Sequence, residues 1–293
     1  MRERFTLTQK QRLAEWNASD HVMQQTFCDK EERDLSYKDL ERKLISENKE
    51  QLKDMLENRH FSTLSRVERN LSDWLADEMG FTMVLTPIMI TDQMLTKMSI
   101  DETHPLRKQV FQVDQNRYLR PMLAPNLYEM MRDIHLMSKG PVRIFEVGPC
   151  FRKESQGVHH LNEFTMLNLV EFDCVKEGDQ MSRLIILAEG AMKALSINGY
   201  SLVPAYSEVY GDTLDVMYGD LELASGAFGP HSLDSRWGIF DKTWVGIGFG
   251  LERLAMLKGG HKGIRKVGRS ISYFDGIRLN GSGGLHGSYR KNP

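Results

Sequence analysis

The 293-residue sequence predicts an α+β fold: a mainly antiparallel sheet flanked by helices, preceded by a helical segment. Three observations point there. Strand-like segments between residues 109 and 250 follow one another through polar turns, not through regular βαβ crossovers. The first sixty residues read as charged amphipathic helix. Near the C-terminus "TWVGIGFG" runs straight into the helix "LERLAMLKG" with no βαβ unit after it, which removes the dinucleotide-binding reading of its glycines.

In chain order, residues 1–60 predict helix uninterrupted by strand. "KDLERKLISENKEQLKDMLEN" sets Leu40, Leu44, Leu52, Met55 and Leu56 near one face, with charge around the rest. "STLSRVERNLSDWLADEMGF" spaces Leu64, Val67, Leu71, Trp74 and Leu75 by threes and fours, with Gly80 as its stop. "FTMVLTPIMIT" is β-branched and apolar around Pro87. Proline cannot donate to a ladder, so this strand lies at an edge or ends at Pro87, and such an edge needs covering, as in a dimer. "QVFQVD" and "RYLRPML" predict short strands. A helix follows, with Pro125 near its start and Gly140 past its end. "VRIFEVGPCFRKE" and "EFTMLNLVEF" predict a strand pair. The next helix opens at Asp179 and closes at Asn198-Gly199, and "DTLDVMYGDLELASGAFG" is a hairpin around Gly219-Asp220.

Composition narrows the rest. Net charge is −2, so any nucleic acid must be met by a local patch. Cys28, Cys150 and Cys174 form no CxxC pair, which disfavours a disulfide framework and a zinc cage and predicts reduced thiols in a cytoplasmic protein. No apolar run approaches the ~20 residues of a membrane span, and the N-terminus has no signal-like stretch. The domain expectation is a helical segment over 1–60, a main domain over 61–280, and a flexible tail or cloning scar, "GSGGLHGSYRKNP", over 281–293.

Two segments carry chemistry. In "CFRKESQGVHHLNEFTMLNLVEF" alternation gives Arg152 and Glu154 one face, and puts Phe164, Met166, Asn168 and Val170 on one face of the return strand. A guanidinium fork suits a phosphate, a carboxylate can accept from an exocyclic amine, and a phenyl face can carry a base. In "WVGIGFGLERL", Trp244, Gly246, Gly248 and Gly250 share a face. Bare backbone there admits a flat ligand, and Arg253 stands just beyond to stack over it opposite Phe164.

These segments, with the helix and strand ending at Pro87, resemble in order the three motifs of class II aminoacyl-tRNA synthetases. "LRPMLAPNLY", "CFRKES", "HLNEFTMLNL", "GDLELASGA", "GFGLERL" and "SISYFDGIRLN" are similar to the catalytic domain of the pyrrolysyl-tRNA synthetase family, over roughly residues 60–280. The helices in front resemble that family's tRNA-contacting segment more loosely. The family's separate basic N-terminal domain has no counterpart here, which implies a catalytic-domain-only form, with a separate tRNA-binding protein as a candidate partner.

The resemblance implies ATP and Mg2+ as cofactors, a homodimer, and pyrrolysine tRNA as partner, with neither DNA nor membrane. It implies catalytic roles for Arg152 and Arg253. Glu154, His160, Leu161, Phe164, Glu222, Ser225, Gly248 and Gly250 join them around ATP, with Glu222 and Ser225 as magnesium ligands. Ala124, Leu127, Tyr128, Met131, Asn168, Val170, Tyr210, Ala227 and Trp244 line the amino-acid pocket, where Asn168 binds a side-chain amide and Tyr210 closes from a loop. Glu222 and Ser225 are three apart, so a bulge or strong twist must bring both to one face. The basic residues of the first helices and of "HKGIRKVGRS" are candidate tRNA contacts. Two other readings stay open: a class II synthetase for another amino acid, and an inactive paralogue that binds or regulates.

Overall fold

The structure is a computed structural model that describes residues 2–58, 61–153 and 160–279. The chain forms two compact units, one of residues 1–62 with the segment from Arg265 onward, the other Thr63–Ile264. The segment from Arg265 thus groups with the N-terminal helices, not with the main domain expected to run to 280. The expected tail, 281–293, lies outside the described residues.

In the first unit the sequence expectation needs correction: strands do interrupt the helices. β1 (Glu3–Arg4) pairs antiparallel with β2 (Thr26–Phe27), around α1 (Leu7–Glu15) and α2 (Asp20–Met23). Thr6 and Gln9 form a reciprocal capping box that starts α1. Helix α3 (Lys30–Asn58) lays Leu40 and Leu44 on a small core of Phe5, Leu13, Ala18 and Phe27. Met55 is buried, but Leu56, expected on the same face, is 71% exposed. Basic residues expected to meet phosphates are partly engaged within this unit. Arg12 lies over the two-ring system of Trp16 at 6.0 Å, and Lys266 Nζ donates to the Ala14 carbonyl at 2.9 Å.

The second unit opens with α4 (Thr63–Asp73), whose last turn widens into a π-helical turn, Trp74–Glu78, before Gly80 at φ +71°. The segment around Pro87 is not one strand. β3 (Thr82–Met83) and β4 (Met89–Thr91) fall on either side of the proline and join different sheets. After α5 (Asp92–Lys97), β4 pairs with β5 (Arg117–Leu119). "QVFQVD" contributes a single bridge, Gln112 to Tyr118, in place of a strand.

Then come α6 (Ala124–Ser138), β6 (Val142–Phe151), β7 (Glu163–Phe172), α7 (Gln180–Ala194), β8 (Ser201–Ser207), β9 (Gly211–Tyr218), β10 (Leu221–Gly229), β11 (Trp244–Gly250) and α8 (Leu251–Lys258). α6 stops at Ser138, with Lys139 at φ +54° as its cap and Gly140 just past the end, as expected. Asp179 makes no side-chain cap on α7, which ends before Ser196 at φ +53°, short of Asn198-Gly199. β8 was silent in the sequence because Pro204 interrupts it, and it lies at the sheet edge where proline is tolerated.

The main sheet has seven strands in the order β3-β6-β7-β11-β10-β9-β8. Every neighbour pair is antiparallel except β3–β6. Its central register fixes the site. Trp244, Gly246, Gly248 and Gly250 of β11 face Phe172, Val170, Asn168 and Met166 of β7. On the other side Gly229, Ala227 and Ser225 of β10 oppose Trp244, Gly246 and Gly248. The β9–β10 ladder slips by one residue between Glu222 and Ala224, the bulge that the spacing of Glu222 and Ser225 demands.

Candidate active site

The central strands floor a cavity of about 430 Å³ in the second unit. Every described residue expected at the site lines it: Ala124, Leu127, Tyr128 and Met131 from α6; Arg152, His160, Leu161, Phe164, Asn168 and Val170 from the β6–β7 hairpin; Tyr210, Glu222, Ser225 and Ala227 from β9–β10 and the turn before; Trp244, Gly248, Gly250 and Arg253 from β11 and α8. Glu154 lies outside the described residues.

The floor is ordered along the strands. From Gly250 to Trp244 the rise of about 3.3 Å per residue gives a length of about 20 Å, enough for two ligands end to end. At the Gly250 end stand Arg253, Phe164 and Arg152; at the Trp244 end stand Ala227, Val170 and the α6 side chains. Asn168 sits between, in register with Gly248. A Cβ on Gly248 would lie 3.0 Å from Asn168 Oδ1 and 3.2 Å from Met166 Cε, so glycine keeps the floor open there.

The polar end is already tied together. Arg152 Nε donates to the Pro121 carbonyl at 2.9 Å, and its guanidinium lies 5.3 Å from the centre of the Phe164 ring. Arg253 Nη1 donates to the Glu222 carbonyl at 2.8 Å and to Glu222 Oε1 at 3.1 Å. The sequence expects Phe164 and Arg253 on opposite faces of a bound base; both line the cavity, and the Phe164 ring has Arg152 beside it. Ser225 Oγ donates to Asp215 Oδ1 at 2.6 Å. Glu252, in the first turn of α8, accepts the Thr165 N–H with both carboxylate oxygens at 2.8 and 2.9 Å, which ties the start of α8 to β7 one residue before Arg253.

The apolar end is aromatic. Tyr128 stacks on Trp237 at 5.2 Å and meets Trp244 edge-on at 5.5 Å; Tyr210 meets Trp244 edge-on at 6.2 Å. Burial pushes the Tyr128 and Tyr210 phenols well above their ordinary value, so both remain neutral donors. Within the cavity, Asn168 Oδ1 is buried with no hydrogen-bond partner among the described residues. The arrangement can hold a flat, phosphate-bearing ligand at one end and an apolar chain with one polar group at the other.

Residues 47–274 match the model of the family described as tRNA synthetases class II core domain (F). PylSc, a pyrrolysyl-tRNA synthetase of Desulfitobacterium hafniense, is 47% identical. The match covers 95% of this chain and 96% of that one, with a TM-score of 0.86. A crystal structure of pyrrolysyl-tRNA synthetase from the same organism is also 47% identical, covering 95% of this chain and 99% of that one, with a TM-score of 0.88. The chain belongs to the pyrrolysyl-tRNA synthetase family. Members of this family within class II are aminoacyl-tRNA ligases, and the seven-stranded sheet flanked by helices is the class II core.

Against this pyrrolysyl-tRNA synthetase frame, sequence reasoning missed several lining residues: Met122, Tyr206, Val209, Thr213, Asp215 and Glu252. Thr213 and Asp215 had a signal, because they alternate on the hairpin strand opposite Ser225. Tyr206 had none, since β8 itself was not legible.

Proposed function

We propose that the chain activates pyrrolysine, or a related Nε-acyl-lysine, with ATP and transfers it to pyrrolysine tRNA. The observation that carries the substrate class is the unpartnered Asn168 Oδ1 at the junction of the two halves of the cavity. A buried amide needs a partner, and an acylated lysine ends in an amide that offers both a donor and an acceptor. Ala124, Leu127, Tyr128, Met131, Val170, Ala227 and Trp244 enclose its methylenes, and Tyr210 covers them.

ATP lies over Gly248 and Gly250, where the floor is bare backbone. Arg152 holds its α-phosphate, and the adenine lies between Phe164 and Arg253; His160 and Leu161 border it. Glu154 would accept from the adenine amine, a role that rests on the sequence alone. The amino-acid carboxylate attacks the α-phosphorus and pyrophosphate leaves, giving an aminoacyl adenylate; the terminal tRNA hydroxyl then attacks its carbonyl carbon, forming the ester as AMP leaves. No protein nucleophile is needed: the residues align the two reactants and meet the charge that builds on phosphorus. Glu222 and Ser225, with Asp215 behind them, offer the hard oxygens that magnesium prefers. They are too few for a full shell, as expected where substrate phosphates complete it. Magnesium there would neutralise phosphate charge.

A homodimer is supported by the apolar side chains exposed around Pro87, with Met83, Leu85, Ile88 and Met89 between 42 and 77% exposed. A cytoplasmic setting is proposed from the sparse cysteines; no helix among the described residues is long and apolar enough to cross a membrane.

The test is ATP–pyrophosphate exchange with pyrrolysine, Nε-acyl-lysines and the twenty standard amino acids. Exchange with the acylated lysines alone is expected; exchange with a standard amino acid instead would discard the substrate assignment. Asn168→Ala should then lose about tenfold of the preference for acylated over plain aliphatic side chains, the scale of one hydrogen bond, with ATP binding little changed. An unchanged profile removes Asn168 from recognition.

A further inference from the structure

We infer that Asp234, which does not line the cavity, is a specificity-determining positioning residue: its carboxylate pins the Trp244 indole as the end wall of the amino-acid pocket. The inference rests on the reading of that pocket given above. Trp244 is 4% exposed, and its Nε1–H donates to both oxygens of Asp234 at 3.0 Å. An indole N–H has no other way to be satisfied in an apolar wall, and a carboxylate is the strongest acceptor available.

The carboxylate is itself held. It accepts the His231 N–H at 2.6 Å, and Asp234 N donates back to the His231 carbonyl at 3.0 Å. Asp234 is 5% exposed, at the start of the short helical turn Asp234–Trp237. Behind the indole there is no room: a Cβ on Gly229 would lie 1.9 Å from Trp244 Nε1. The ring is therefore bounded by backbone on one side, by Tyr128 and Tyr210 edge-on, and by Asp234 at its nitrogen. The same turn reaches the pocket twice more, through Trp237 stacked on Tyr128 and His231 against Tyr210 at 6.0 Å. Remove the acceptor and the buried N–H must find water or another partner, which swings the ring and lengthens the pocket.

The experiment compares Asp234→Ala and Asp234→Asn across Nε-acyl-lysines of increasing acyl size. Asp234→Ala should shift kcat/KM toward the larger acyl groups by about tenfold, with KM for ATP unchanged. Asp234→Asn, which keeps an acceptor oxygen, should hold the wild-type profile. In a Trp244→Phe background, which lacks the N–H, Asp234→Ala should shift nothing further. A uniform fall for all substrates and for ATP, or a profile unmoved in Asp234→Ala, overturns the inference. Should wild type use no acylated lysine, the substrate reading fails by itself. The wall is then judged by the Trp244 indole N–H resonance, expected to be exchange-protected in wild type and unprotected in Asp234→Ala. Equal protection in both overturns it.

Discussion

Replacing Arg253 with alanine is expected to lower ATP–pyrophosphate exchange by about 10²-fold, the scale on which misplacing a reactant costs rate, because the adenine loses the cationic face that holds ATP in line for attack. The fold should survive. Arg253 reaches the Glu222 carbonyl and carboxylate from a partly exposed position, and such a pair contributes roughly 0–1 kcal/mol. Arg253→Lys keeps the charge and loses the planar fork, so its activity should fall between the two. Equilibrium ATP binding and thermal unfolding, measured on the same preparations, separate a misplaced reactant from a lost structure. Near-normal exchange in Arg253→Ala sinks the role, and so does a large drop in melting temperature that accounts for the loss.

The second large effect concerns stability. Arg120→Met should cost about 3–5 kcal/mol, because it leaves a buried carboxylate without its cation. Arg120 and Glu146 have side chains only 2 and 1% exposed, paired at 2.7 Å. Thr86 adds its N–H and hydroxyl to Glu146 at 3.1 and 2.7 Å, and Asn126 donates to the Thr86 hydroxyl and the Pro87 carbonyl. Gly148 makes space for the guanidinium, since a Cβ there would lie 2.0 Å from Arg120 Nη2. The double variant Arg120→Met/Glu146→Leu should recover most of the loss, because two apolar side chains can replace the pair without stranding a charge. Chemical denaturation of the single and double variants checks both statements, and a single variant within 1 kcal/mol of wild type refutes the first. Activity should fall as well. The Arg120 carbonyl holds the Phe151 N–H at 2.9 Å and Arg120 Nε holds the Pro149 carbonyl, so the pair steadies the strand end from which Arg152 projects.

That network shows where sequence reasoning reaches its limit. Alternation placed Phe164, Asn168 and Val170 on one face of their strand, and Gly246 and Gly248 on one face of theirs, because a strand's period is fixed by covalent geometry. The spacing of Glu222 and Ser225 required a bulge, and the ladder has one. Pairings between distant segments leave no local trace. Nothing in "RYLRPML" says that Arg120 turns inward toward Glu146, and nothing in "GPHSLD" says that Asp234 meets an indole ten residues on. Short strands were misjudged where tertiary pairing overrides pattern, as at Glu3–Arg4 and in the proline-bearing edge at Ser201–Ser207. Arg253 was assigned to the base opposite Phe164 by chemistry alone; its hydrogen bonds to the Glu222 carbonyl and carboxylate left no trace in the sequence.

The floor of the cavity is made of different materials at its two ends, and this bears on how such a protein can change over generations. Toward Gly250 the surface offered to a ligand is main chain, so a coding change there can only add bulk and close the site. Toward Trp244 it is side chain, and a coding change exchanges one shape for another. Mutation is thus purged at one end and sampled at the other. A lineage built on this sheet can drift in what it loads onto its tRNA while the machinery of activation stands still.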